Sequence, residues 1–332
     1  GMVTAVGGAG EPPPQAAETV DVGGCLVTPG LVNTHHHLYQ NLTRAYRPAT
    51  SGGLFDWLTT LYPLWSRLDE EAAYVSAWIG LAELALGGCT TSTDHLYVHP
   101  RGGGDLITAE ITAARELGMR FHPTRGSMSL SEKDGGLPPD SVVQDDDEIL
   151  ADSERLVAAH HDRAPGAMVR IALAPCSPFS VTADLMRRTA ELAERLDVRL
   201  HTHLAEDPDE DTYAASHLGK RTIEHFFDVG WGSDRTWVAH CIYPDHAEIA
   251  RLGAAGVGVA HCPSSNMMIG GGGIAPVKQF RAAGVPVGLG CDGSASTDSA
   301  SLWMESRNCL LLGRMKEGPA AWSARDALEV AT

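Results

Sequence analysis

The run Asn33-Thr34-His35-His36-His37 sets His35 and His37 two residues apart. In an extended chain that spacing puts both rings on one face and His36 on the other. Two imidazoles sharing a face suit a borderline divalent cation, although the pair alone reads equally well as a polar strand end. The run His201-Thr202-His203-Leu204-Ala205-Glu206 adds His203 as a third candidate ligand. Glu206 falls past the strand end, where it is better placed to move protons than to ligate; a solvated loop glutamate is the ordinary alternative. Ala239-His240-Cys241 and Cys291-Asp292-Gly293 put an imidazole and a carboxylate at two further strand ends. A carboxylate beside a metal completes the coordination and accepts a proton from bound water, whereas one Asp before Gly is usually only a turn. The combined set His35, His37, His203, Glu206, His240 and Asp292 is far more specific than any member and predicts metal-assisted hydrolysis.

These residues need elements to gather them. Short apolar, β-rich runs ending in polar residues occur at 31–37, 89–98, 120–126, 169–176, 198–205, 236–241, 256–263 and 286–293. Between them lie amphipathic helical patterns such as those at 70–88, 147–161, 183–196 and 246–256. Strands alternating with helices imply parallel βαβ units, and eight such units suit closure into a (β/α)₈ barrel, whose catalytic groups gather at the C-terminal strand ends. A doubly wound open sheet is the alternative, but no Gly-x-Gly-x-x-Gly follows the first strand. Residues 1–28, rich in Gly and Pro, read as short strands and turns, so the chain divides into 1–28 and a barrel over 29–332. The polar stretch 126–145 is expected to be a long loop after the third strand, where a barrel enzyme places active-site loops.

The 332 residues carry a formal charge of −17. Phosphate-backbone recognition requires clustered basic residues, so a nucleic-acid partner is not expected. No apolar run reaches the length of a membrane span, and the first residues lack the pattern of a signal peptide. Seven cysteines without a Cys-x-x-Cys pair fit a reducing, cytoplasmic setting.

From the TPGLVNTHHH run (residues 28–37) through HTHLAE, AHC, AHCPSSN and GLGCDGSAS to the C-terminal DALEVAT, the chain resembles the amidohydrolase superfamily, in its cytosine, guanine and triazine deaminase branch. The resemblance implies one divalent ion, zinc or alternatively iron, held by His35, His37, His203 and Asp292, with Glu206, His240 and Asp292 as catalytic residues. The fourth strand, VRIALAPCSPFS, lacks the lysine that bridges two metals in binuclear relatives. Within the branch, NTHHHLYQNLTRAY, MRFHPTRGSMSL, GGLPPD and HCPSSNM are most similar to the subfamily that deaminates 8-oxoguanine to urate and ammonia. Guanine, isoguanine or a triazine is the alternative substrate, and an inactive metal- or purine-binding fragment a further one. Gln40 stands where guanine deaminases place a purine-recognising glutamine. His95 and Tyr97 close the second strand and Arg125 the third; all four are substrate-binding candidates, with a structural ion pair the competing role for Arg125. Trp57 and Trp65 are candidates to wall a planar ring or to pack. A small-molecule purine partner and a homo-oligomer are expected. Family members carry a β-sandwich built from both chain ends; here 1–28 would be its remnant and no C-terminal half follows Thr332, so a fragment or a truncation is expected.

Overall fold

A computed structural model describes residues 3–8, 10–12 and 14–332. Eight parallel strands close into a barrel in sequence order: β1 (Leu31–Asn33), β2 (Cys89–Leu96), β3 (Arg120–Ser127), β4 (Ala172–Pro175), β5 (Arg199–Leu204), β6 (Thr236–His240), β7 (Gly258–His261) and β8 (Val287–Leu289). The expected (β/α)₈ barrel is thus formed. Asn33 pairs with Leu289 to shut it, and the Asn33 amide reinforces the seam, donating to Ser92 Oγ (3.1 Å) and accepting from the Cys291 N–H (2.9 Å).

The helices form where local chemistry favours them. Ala183–Leu196 is capped by Thr182 and buries Leu185, Met186, Thr189, Leu192 and Ala193, the spacing of one helical face. His246–Ala255 starts with a reciprocal capping box between Asp245 and Glu248 and stops at left-handed Gly256. The main apolar core lies between strands and helices and includes Phe121, Ile171, Leu200, Phe226, Val238 and Leu289. A second cluster, with Tyr39, Trp57, Leu58, Trp65, Tyr97 and Phe179, covers the C-terminal mouth.

Two sequence expectations change. Strand β1 ends at Asn33, so His35 and His37 follow the strand rather than sit on it. Among the described residues of 1–28 there is no strand, and these residues are almost all exposed; Gly1, Met2, Ala9 and Pro13 of that segment lie outside the described residues. A strand needs partners for its backbone groups, and among the described residues no strand pairs with that segment. Beyond the end of β3 at Ser127, the stretch to 145 is the expected long loop, broken only by the short 3-10 turns Glu132–Asp134 and Asp140–Val142, and it is packed down on the barrel. Ser129 and Leu130 N–H both donate to the Ser180 carbonyl, Leu137 N–H donates to that of Phe179, and Met128, Ser131 and Val142 are buried. Among the described residues no helix is long and apolar enough to cross a membrane.

Candidate metal centre and active site

Hydrogen bonds fix the imidazole tautomers. Nδ1 of His201 donates to the Trp237 carbonyl (2.9 Å), so its Nε2 is an acceptor; it takes the Nδ1–H of His35 at 2.8 Å. That leaves His35 Nε2 as a bare, buried lone pair with no protein partner. His37 Nδ1 donates to the His95 carbonyl (2.7 Å) and His203 Nδ1 to that of Cys176 (2.7 Å). Their Nε2 atoms then face each other at 3.1 Å with no proton left to share. Asp292 Oδ1 stands 3.4 Å from His35 Nε2 and 3.2 Å from His37 Nε2. Lone pairs and a carboxylate converging on one point repel unless a cation lies between them, so the donor set fits a divalent ion. Burial lowers the basicity of these rings, that of His203 to a pKa of about 3, so they stay neutral and ready to ligate. Burial by itself would raise the Asp292 carboxyl, but the His35 contact and the surrounding imidazoles outweigh it and hold it well below the usual range.

The proton-handling groups are adjacent. His240 Nδ1 donates to Asn266 Oδ1 (2.9 Å), turning Nε2 toward Glu206 Oε1 at 3.5 Å and Asp292 Oδ2 at 3.9 Å. Burial, then the charge of Asp292, pushes the Glu206 carboxyl well above the ordinary glutamate range, favouring its protonated form. Ala205, His240, Cys241 and Asp292 all have left-handed backbones, with φ of 51°, 67°, 47° and 59°. Non-glycine residues tolerate this only where their surroundings over-determine them. Here the Glu210 carboxylate does so at one turn, accepting the N–H groups of Ala205 (2.9 Å) and Glu206 (3.0 Å).

The cavity between these groups is lined by Gln40, Trp57, Tyr97, Cys176, Glu206, His240 and Asp292 among others and encloses only about 20 Å³. Gln40 is fully buried with neither amide atom bonded. Gly293 makes room for it, since a Cβ there would collide with Oε1 of Gln40. Of the substrate-binding candidates, Gln40 and Tyr97 reach this cavity. His95 does not line it: it stacks on His203 with 4.8 Å between ring centroids and donates from Nε2 to the Ala174 carbonyl. A ring nitrogen of His95 also lies within 4.8 Å of those of His35, His37 and His203, which makes it a fourth imidazole of the cluster. Arg125 is also elsewhere: it is buried against Asp152 (2.6 Å) and Gln144 (2.9 Å), the structural ion pair that competed with a substrate role. Trp57 walls the cavity, while Trp65 packs on Tyr39 and donates to Thr43. His201, Glu210 and Asn266 were assigned no role from the sequence; only the two-residue spacing of His201 from His203 hinted at a shared face. A much larger hollow, about 1030 Å³ around 99–107 and 143–148, shares no residue with the imidazole cluster.

The sequence and fold have counterparts among known proteins. The Amidohydrolase family matches residues 26–332. An 8-oxoguanine deaminase of Pseudomonas aeruginosa is 51% identical over all of this chain and 74% of its own length. A hydroxydechloroatrazine ethylaminohydrolase of a Pseudomonas species is 40% identical over 87% of this chain, which spans only 60% of that relative. Among solved structures, the atrazine chlorohydrolase of Arthrobacter aurescens complexed with zinc superposes with a TM-score of 0.87 at 34% identity, covering 92% of this chain and 69% of that one.

Proposed function

From the premise that the chain belongs to the amidohydrolase family, we propose that it is a metal-dependent aminohydrolase that converts 8-oxoguanine to urate and ammonia. The observation that carries this reading is the convergence of three bare Nε2 atoms and the Asp292 carboxylate beside a buried Glu206. His35, His37, His203 and Asp292 would hold one divalent ion, zinc before iron, in keeping with the zinc-bound likeness. When bound, such an ion acidifies a water and polarises the carbon that water attacks.

The chain's own groups do the rest. The ionised Asp292 accepts a proton from the attacking water. Glu206, protonated through its burial, delivers a proton to the ring nitrogen next to C2, and His240, held by Asn266, stabilises the charge that develops there. A C–O bond forms at C2, the C–N bond to the amino group breaks, the proton taken by Asp292 leaves with ammonia, and the remaining proton of the new hydroxyl returns to Glu206 as the C2 carbonyl forms. The unspent amide of Gln40 pairs with the purine edge and Tyr97 borders the ring.

The ethylaminohydrolase likeness supports a second reading, in which a substituted triazine takes the purine's place. Metal-loaded protein incubated with 8-oxoguanine, guanine, isoguanine and a triazine decides between them. Urate and ammonia are expected from the first, with at least a ~10³-fold loss in Asp292→Asn; turnover of the triazine alone would replace the substrate assignment. A homo-oligomer in the cytoplasm accompanies this reading, and equilibrium sedimentation tests the assembly.

A further inference from the structure

At the opposite end of the barrel, where the strands begin, lies a hollow of about 310 Å³ walled by guanidinium groups. Arg170 precedes β4, Arg199 opens β5 and Arg235 precedes β6, while His161 and Arg163 follow the helix Asp146–His160. The chain carries 42 acidic residues against 25 basic ones, so this gathering runs against its average field. Arg235 pairs with Asp197 at 2.9 Å. Arg163, Arg170 and Arg199 have no such carboxylate partner among the described residues; each gives one bond to a backbone carbonyl, of Leu196 (2.6 Å), Ala164 (3.2 Å) and Asp234 (3.0 Å) respectively. A guanidinium has five N–H donors in a planar fork matched to oxyanions, so most of these donors are unspent. His161 also borders the hollow, its Nδ1 3.0 Å from the Ile171 nitrogen and 3.2 Å from the Ile171 carbonyl oxygen.

Four guanidiniums against the two carboxylates that border the hollow, Asp197 and Asp234, leave two positive charges. Clustered like charges repel, and an oxyanion that engages several forks at once offsets that repulsion through charge-assisted hydrogen bonds. A volume of about 310 Å³ has room for a small oxyanion group. We propose that this hollow is a second ligand site, binding a dianionic oxyanion: inorganic phosphate or the phosphate group of a phosphomonoester.

The test is calorimetric titration of the full, metal-loaded chain with phosphate and with glycerol phosphate, against chloride at matched ionic strength, so that screening is common to every arm. Arg170→Gln and Arg199→Gln, singly and together, serve as variants; neither residue touches the active site, and unchanged melting in chloride shows that they fold. Saturable binding of phosphate at one site per chain is expected, weakened at least ~10-fold by either substitution, with deaminase turnover in chloride unchanged. Binding of the ester as well would show that the site takes a phosphate group on a larger molecule; phosphate alone would show that it takes the free ion. Absence of binding beyond chloride, or binding undiminished in the double variant and therefore located elsewhere, would overturn the proposal.

Discussion

At the scale of single residues, the reactive groups are set by neighbours that do no chemistry. His201 is the clearest case: it holds the Nδ1–H of His35 at 2.8 Å, so that Nε2 faces Asp292. His201→Ala removes the acceptor and frees the His35 ring to turn, so metal affinity should fall ~10–100-fold while the barrel stays folded. Chelator competition measures the affinity, and an unchanged value would show that His35 needs no such support. Glu210 plays the same part for Glu206. Its carboxylate satisfies two buried N–H groups in a turn bent by the left-handed Ala205, and leaving each unsatisfied costs ~1–3 kcal/mol. Glu210→Ala should therefore lower the melting point and cut kcat ~10–100-fold through misplacement of Glu206, with metal content intact. Glu210→Gln, which keeps one acceptor, should recover part of the rate. Loss of metal in either variant would show instead that the turn supports the whole centre.

Elements carry these residues, and here the legibility of the sequence is uneven. Seven of the eight strands lie within the runs expected for them and β3 overruns its own by one residue, Ser127, because a parallel barrel strand is buried on both faces and reads as an apolar run. The polar residues that end those runs, with Glu206 one residue beyond its own, are the candidates His35, His37, His203, Glu206, His240 and Asp292 that the fold brings close together. What the runs could not show was which way a polar residue faces. Arg125, at the end of β3, goes outward to Asp152 on the helix behind it, and His95 packs under the imidazoles instead of facing the cavity. Facing depends on strand register and twist, which a single sequence does not encode locally. Nor could it show partners as distant as Glu305, on the helix Leu302–Glu317, whose carboxylate accepts the Ser264 N–H at 3.0 Å. That bond steadies the start of the helix Pro263–Ile269, which carries Asn266 to His240. Burial raises the Glu305 carboxyl to a pKa of about 7. A folded pKa above the unfolded one means that the native state binds more protons between about pH 4.5 and 7, so this group's contribution to stability declines as pH rises through that window. Glu305→Gln keeps the acceptor without the titration. Melting curves should show it about equal to the parent at pH 5 and more stable at pH 8, by up to ~3 kcal/mol. A difference independent of pH would mean that the carboxyl titrates normally.

For the whole molecule, the decisive feature is that the centre lies in a cavity of about 20 Å³, too small for the bicyclic substrate proposed for it. The groups over the cavity come from separate places: Leu54, Trp57 and Leu58 from the helix Leu54–Trp65, Phe179 from the segment after β4, and Ile269 from the end of the helix Pro263–Ile269. The barrel beneath them is closed and continuously paired, so it cannot widen without breaking strand pairs. Access must come from the cover. The helix Leu54–Trp65 is preceded by Ser51-Gly52-Gly53, and Ile269 is followed by Gly270, Gly271, Gly272 and Gly273, with Gly270 and Gly272 at φ of 75° and 78°. Such glycine runs let an element swing with little backbone cost. If the cover opens to admit substrate and closes over it, its amides should exchange faster in the free protein than those of the barrel strands, and slow on addition of an unreactive purine analogue. Hydrogen exchange read by mass spectrometry should place that protection in peptides spanning 52–65 and 263–273, with β5 and β6 unchanged. Protection confined to the strands, with the cover exchanging equally in both states, would mean that the purine binds without passing beneath these helices.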